Sequence, residues 1–194
     1  MNINSYKKSI RESSFSREDE TVIWDFYVTK SLSHASSQHR WLSDYHQDDF
    51  TRPFNLMKRM MMAAGVKDEQ CKIVTGKSMN KGLEQLNLLA DTNVGISTDN
   101  PRIACLIPSD REGEGKQYSE KKCVINVMVH ARNALAHGNT YFFDNGFVML
   151  EDFIFDKFTR VTTTTARMLF HKNTLLAWIK LFDKEKRYYP EIHI

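Results

Sequence analysis

Much that would classify this chain is missing from it. Among its 194 residues no apolar run reaches the roughly 18 that a transmembrane helix needs, so no membrane span and no membrane partner are expected. The first stretch, Met1 to Phe15, is polar and of mixed charge. It lacks the apolar core of a secretory signal and reads as a flexible N-terminus of a cytoplasmic protein. Cysteine is scarce: Cys71, Cys105 and Cys123 are widely spaced and odd in number. They read as reduced thiols filling small apolar gaps, with no disulfide framework and no zinc pair of the Cys-x-x-Cys type. The glycine-rich, charged segment 109–116 holds no Gly-x-x-x-x-Gly-Lys-Ser/Thr and reads as an exposed loop, not a phosphate-binding one. Gly-x-Ser-x-Gly is absent as well, as are internal repeats and low-complexity tracts. A nucleophilic serine hydrolase and a repeat architecture therefore have no support.

Charge is nearly balanced, with 27 Lys and Arg against 24 Asp and Glu. The short basic clusters Lys7-Lys8, Lys121-Lys122 and Lys184 to Arg187 permit a polyanionic partner without requiring one.

What is present reads mostly as helix. Ser16-Arg17-Glu18-Asp19 resembles a capping box opening a helix through Val22, Ile23, Phe26 and Tyr27. Pro53 starts a second, Met-rich helix, Phe54 to Ala64, that Gly65 stops. Leu83, Leu86 and Leu89 or Ala90 share a face of a short helix between Gly76 and Gly95. From about Ser119 to His137, Val124, Val127, Met128, Ala131, Ala134 and Leu135 form a stripe of 3.6-residue period that ends at Gly138. Asp144-Asn145-Gly146 between two apolar runs is a hairpin signal, and the threonine-rich run Arg160 to Phe170 favours a strand. A last helix, about Asn173 to Lys184, carries Leu175, Leu176, Ile179 and Phe182. The expected architecture over 1–194 is one mainly-α domain, a helical bundle with a small antiparallel β appendage near the C-terminus.

Chemistry concentrates at one place. An Arg followed four to six residues later by His is weak alone, since Arg40 with His46 and Arg187 with His193 match it too. Arg132 and His137 differ in lying at the glycine-stopped end of the best-patterned helix. At about 100° per residue, Asn126, His130, Asn133 and His137 form one polar stripe opposite the apolar one, with Arg132 beside it. A guanidinium binds phosphate bidentately and stays charged. An imidazole at a helix C-terminus suits the acid role near neutral pH, and Asn133 lies one turn before it. This set suits RNA cleavage by the substrate's own 2′-hydroxyl, with a 2′,3′-cyclic phosphate and a 5′-hydroxyl as products. Catalysis is assigned to Arg132, Asn133 and His137, and substrate contacts to His130, Asn126 and Asn139. His130 stands two turns from His137, roughly 10 Å along the axis, too far to flank the same phosphate. A symmetric dimer with a shared cleft would supply the second imidazole.

Other clusters are weaker. His34, His39 and His46 with Asp48 and Asp49 could be read as metal ligands, but the spacing is poor for one helix and no metal is expected. Tyr141, Phe142 and Phe143 suit a hairpin core better than base stacking.

The string Arg-Asn-Ala-Leu-Ala-His-Gly, residues 132–138, followed by a hairpin and a last helix, resembles the HEPN superfamily of nucleotide-binding helical domains. It is most similar to members from bacterial plasmid and phage-defence loci. The resemblance implies an all-α homodimer with a composite site and metal-independent endoribonuclease activity without cofactor. It also implies a role as toxin or antiviral effector, RNA as substrate, and an antitoxin or other regulatory partner. Arg132 would hold phosphate, Asn133 would orient, and His137 would transfer protons. Members silenced by nucleotidylation carry Tyr two residues after the His, where this chain has Asn139. The alternative is a non-catalytic HEPN-like module for nucleotide or RNA binding, or for assembly.

Overall fold

The computed structural model describes residues 6–7, 15–45, 54–75, 79–89, 96–107, 120–183 and 187–188. Its backbone overturns the expected mainly-α bundle. A six-stranded mixed sheet organises the chain, in the order β1-β4-β5-β6-β3-β2. The strands are Tyr6–Lys7 (β1), Cys71–Thr75 (β2), Arg102–Ile107 (β3), Thr140–Phe142 (β4), Phe147–Phe155 (β5) and Thr162–His171 (β6). Only β2 and β3 run parallel; the other neighbours are antiparallel. The fold is α/β, and the all-α architecture implied by the HEPN resemblance does not hold.

The physical reason lies in β3. Its residues are almost all buried, with Ile103 and Cys105 in one core and Ala104 in the other. A strand covered on both faces shows no apolar–polar alternation, so it leaves no period-two trace in the sequence. Local signals, by contrast, held. Asp144 to Gly146 turns β4 into β5, with Phe142 opposite Val148, and the threonine run lies in β6. Phe142 and Phe143 are buried, as a hairpin core requires.

The helices are Arg17–Trp24 (α1), Leu42–Tyr45 (α2), Phe54–Ala64 (α3), Met79–Gln85 (α4), Glu120–Ala136 (α5) and Asn173–Phe182 (α6). Ser16 caps α1 by accepting from the Asp19 amide at 3.1 Å, and the helix runs on into a π-turn, Asp25–Thr29. One sheet face, carrying Val148, Leu150, Met168 and Phe170, packs against α5 and, beyond it, α3 and α6. There the Trp178 indole donates to the Met60 carbonyl at 2.9 Å, and the Tyr27 hydroxyl to that of Leu175 at 2.9 Å. The opposite face, with Met149 and Leu169, packs against α4 and the Leu86–Leu88 turn. Two apolar layers on one sheet give the core its depth.

Beyond residue 152 the β5–β6 pair leaves this core. Phe153, Ile154, Phe155 and Val161 are exposed, and Phe158 at the turn is 99% exposed. Tyr6–Lys7, within the stretch expected to be flexible, pairs with β4. The remainder of residues 1–14, the 109–116 loop, Pro53 and Ala90 lie outside the described residues. No helix among the described residues is long and apolar enough to cross a membrane.

Candidate active site

Helix α5 ends as its sequence predicts. The Asn139 amide donates to the Ala134 carbonyl at 2.8 Å and the Gly138 amide to that of Leu135 at 3.2 Å. This is the double closure of a Schellman cap, and it requires a left-handed residue. Gly138 has φ +65°, a region that costs L-residues about 1 kcal/mol or more. The cap stops the helix at Ala136 and leaves the His137 side chain exposed at its end.

The polar stripe does not face solvent as a whole. His130 is buried, 7% exposed, with its two ring nitrogens on two acceptors. Nδ1 stands 2.7 Å from the Asp152 carboxylate and Nε2 stands 2.8 Å from the Leu106 carbonyl. A neutral imidazole has one N–H, and beside an ionised Asp152 carboxylate both contacts need a donor on the ring. With Asp152 ionised, the geometry fits the imidazolium. Burial alone would disfavour that charge, but the Asp152 hydrogen bond outweighs it. With Cys105 and the Leu106 carbonyl adding to the effect, the His130 pKa is pushed up to about 10. Burial would likewise raise Asp152; the hydrogen bonds from His130 and Asn133 hold its carboxyl below its ordinary value.

From Asp152 the network continues outward. Asn133 Nδ2 donates to the same Asp152 oxygen at 3.0 Å, which turns the amide oxygen toward Arg132. Arg132 Nη1 donates to that oxygen at 3.1 Å, and Nη2 donates to the Ala35 carbonyl at 3.1 Å. One N–H on each terminal nitrogen is left for another acceptor. The chain thus runs from β3 through His130, Asp152, Asn133 and Arg132 to the loop after the π-turn, with Asp152 accepting from both sides and Arg132 donating in both directions. Asp152 reaches α5 because it follows Val148 and Leu150 on the helix-facing register of β5. The β5–β6 register shifts between Asp152 and Phe153, as bulges often do beside functional groups.

These contacts reassign several residues. Arg132, Asn133 and His137 share one helix end, as expected. His130 has no free ring nitrogen for a substrate, so its contribution is to position Asp152 and Asn133. Asn126 Nδ2 folds back on the Lys122 carbonyl at 2.8 Å. Asn139, whose amide forms the outer bond of the cap, is buried. Asp152 and the Ala35 carbonyl are absent from the site expected from sequence. The signal for Asp152 was an acid on the inward register of an apolar strand; a backbone carbonyl offers none.

Among the described residues no three His, Cys, Asp or Glu side chains converge as a metal site. His46, Asp48 and Asp49 lie outside those residues. None of the three cysteines is in a disulfide, and burial pushes the Cys71 thiol up to about 12. Comparison with family models, with curated proteins and with solved structures gives no match for this chain.

Proposed function

We propose that this chain is a metal-independent endoribonuclease that uses a HEPN-like Arg132–His137 motif on an α/β fold and acts as a toxin or antiviral effector. One observation carries the reading. A guanidinium with donors to spare is fixed by a buried charged network at the same helix end that exposes an imidazole. Arg132 would hold the scissile phosphate and neutralise charge as the 2′-oxygen attacks phosphorus. The phosphorus–O5′ bond breaks, and His137 delivers a proton to the departing 5′-oxygen. A second copy of the chain would bring the imidazole that accepts the 2′-hydroxyl proton. The exposed apolar β5–β6 tip offers surface for such an association.

The test is cleavage of RNA by the purified full chain in EDTA. His137→Ala is expected to lower the rate about 10²–10⁴-fold, and Arg132→Ala to lower it comparably, with both variants remaining folded. Binding without turnover, unaffected by His137→Ala, would instead favour the non-catalytic RNA-binding module.

A further inference from the structure

The loop that Arg132 holds is built more firmly than a connection needs. Ser31, Ser33 and Ser36 are buried, and their side chains brace it from within. The Ser31 and Ser36 hydroxyls bond each other. The Ser33 amide donates to Ser31 Oγ at 3.1 Å and the Ala35 amide to Ser33 Oγ at 3.3 Å. The Arg40 amide closes the loop on the Ser31 carbonyl at 3.0 Å, and the Trp41 amide donates to Asp44 at 2.7 Å.

What this frame presents is aromatic. The His34 and His39 rings stack with centroids 4.2 Å apart and planes 33° apart. Trp41 stands edge-on to both, at 5.6 Å and 4.9 Å. None of the three belongs to either apolar core. Trp41 is 61% exposed and His34 is exposed, so packing does not account for them. Both His39 ring nitrogens are buried with no hydrogen-bond partner among the described residues, and the ring's contacts here are with His34 and Trp41. The Ala35 carbonyl, next to His34 in the chain, is the one Arg132 grips.

We propose that His34, His39 and Trp41 form a stacking platform for an unpaired nucleobase of single-stranded RNA whose backbone phosphate sits on Arg132. This deepens the ribonuclease reading and rests on it only for the role of Arg132. Aromatic faces accept any base, and a base can reach them only when it is unpaired. A guanidinium beside such a face holds the phosphate while the base stacks. The platform would make the protein select single strands with little sequence preference.

The test uses the full chain and a fully 2′-O-methylated oligonucleotide, which has no attacking 2′-hydroxyl and stays intact. Titration should quench tryptophan fluorescence, and a fully paired RNA duplex should bind at least about 10-fold more weakly. Trp41→Ala and the exposed-site variant His34→Ala should each weaken binding by about 10-fold, the lower part of the range for losing one stacked base. Trp41→Phe should restore most of it. The salt dependence should separate the two contacts. Arg132→Ala should reduce the slope of log affinity on log salt by about 0.7, the share of one phosphate on a single strand, whereas Trp41→Ala should leave the slope unchanged. Wild-type affinity in folded Trp41→Ala and His34→Ala, duplex binding equal to single-strand binding, or no oligonucleotide binding at all would overturn the platform. Binding that needs Trp41, in a protein that cuts no RNA, would keep the platform and remove the nuclease. Cleavage by Trp41→Ala at the wild-type rate and KM would do the reverse.

Discussion

Glu151 and Asp152 are neighbours on β5, both buried, both paired with a cation, and they point to opposite faces of the sheet. Glu151 meets Arg167 directly across the ladder, with Nε and Nη2 each 2.8 Å from the same carboxylate oxygen. Arg167 Nη1 then ends on the Leu88 carbonyl at 2.6 Å, and the Tyr141 hydroxyl donates to the other Glu151 oxygen at 3.3 Å. These partners tie β5 to β4, β6 and the Leu86–Leu88 turn. Asp152 meets His130, but its network passes through Asn133 to Arg132 and ends beside an exposed loop. A buried ion pair alone therefore says little about function. Where its hydrogen-bond chain ends says more: one face of β5 ties the sheet to the Leu86–Leu88 turn, the other delivers charge to the surface.

Substitutions at the two acids should separate these roles. Glu151→Gln strands a guanidinium that cannot shed its charge, at about 3–5 kcal/mol of stability. Activity per folded molecule should stay at the wild-type level. Asp152→Asn should cost less stability, about 1–3 kcal/mol, because His130 can release its proton and become neutral. It should nonetheless lower cleavage roughly 10–100-fold by loosening Asn133 and Arg132. The two measurements, denaturant unfolding and single-turnover cleavage, should rank the variants in opposite orders. A common order in both would dissolve the distinction between the faces.

A smaller effect should appear in pH. His130 is raised in the folded chain, so its contribution to stability is complete below its ordinary value of 6.5 and is lost as pH rises toward about 10. Asp152 is lowered, so its contribution is complete above its ordinary 3.8 and is lost as pH falls through its folded value. From this pair, stability should be greatest between about pH 4 and 6.5 and should decline on the alkaline side. In His130→Gln that alkaline decline should flatten; an unchanged profile would place the titrating group elsewhere.

Sequence carried the parts of this molecule that are local. The Ser16 cap, the Gly138 stop, the Asp144–Gly146 turn and the stripe on α6 each depend on residues a few positions apart. Arg132, Asn133 and His137 were legible for the same reason, since one helix end holds them all. The sheet was not, because β3 is apolar on both faces and its parallel pairing with β2 joins segments with no short turn between them. The rest of the site was hidden by distance along the chain: Asp152 reaches Asn133 across 19 residues and Ala35 reaches Arg132 across 97. The helical phase of His130 matches that of His137 and by itself predicts a substrate-facing ring. Only the position of β5 shows that the same phase points into the sheet there.

If the open end of the Asp152 network supports 2′-hydroxyl-driven cleavage at Arg132 and His137, the chemistry of the product ends will reveal it. The most direct measurement is mass spectrometry of products from an oligoribonucleotide and its fully 2′-deoxy counterpart, each incubated with the full chain in EDTA. The ribo substrate alone should give 2′,3′-cyclic phosphate and 5′-hydroxyl ends, and His137→Ala should give none. Cleavage of the deoxy substrate, ends bearing a 5′-phosphate, or undiminished cleavage by His137→Ala would contradict it.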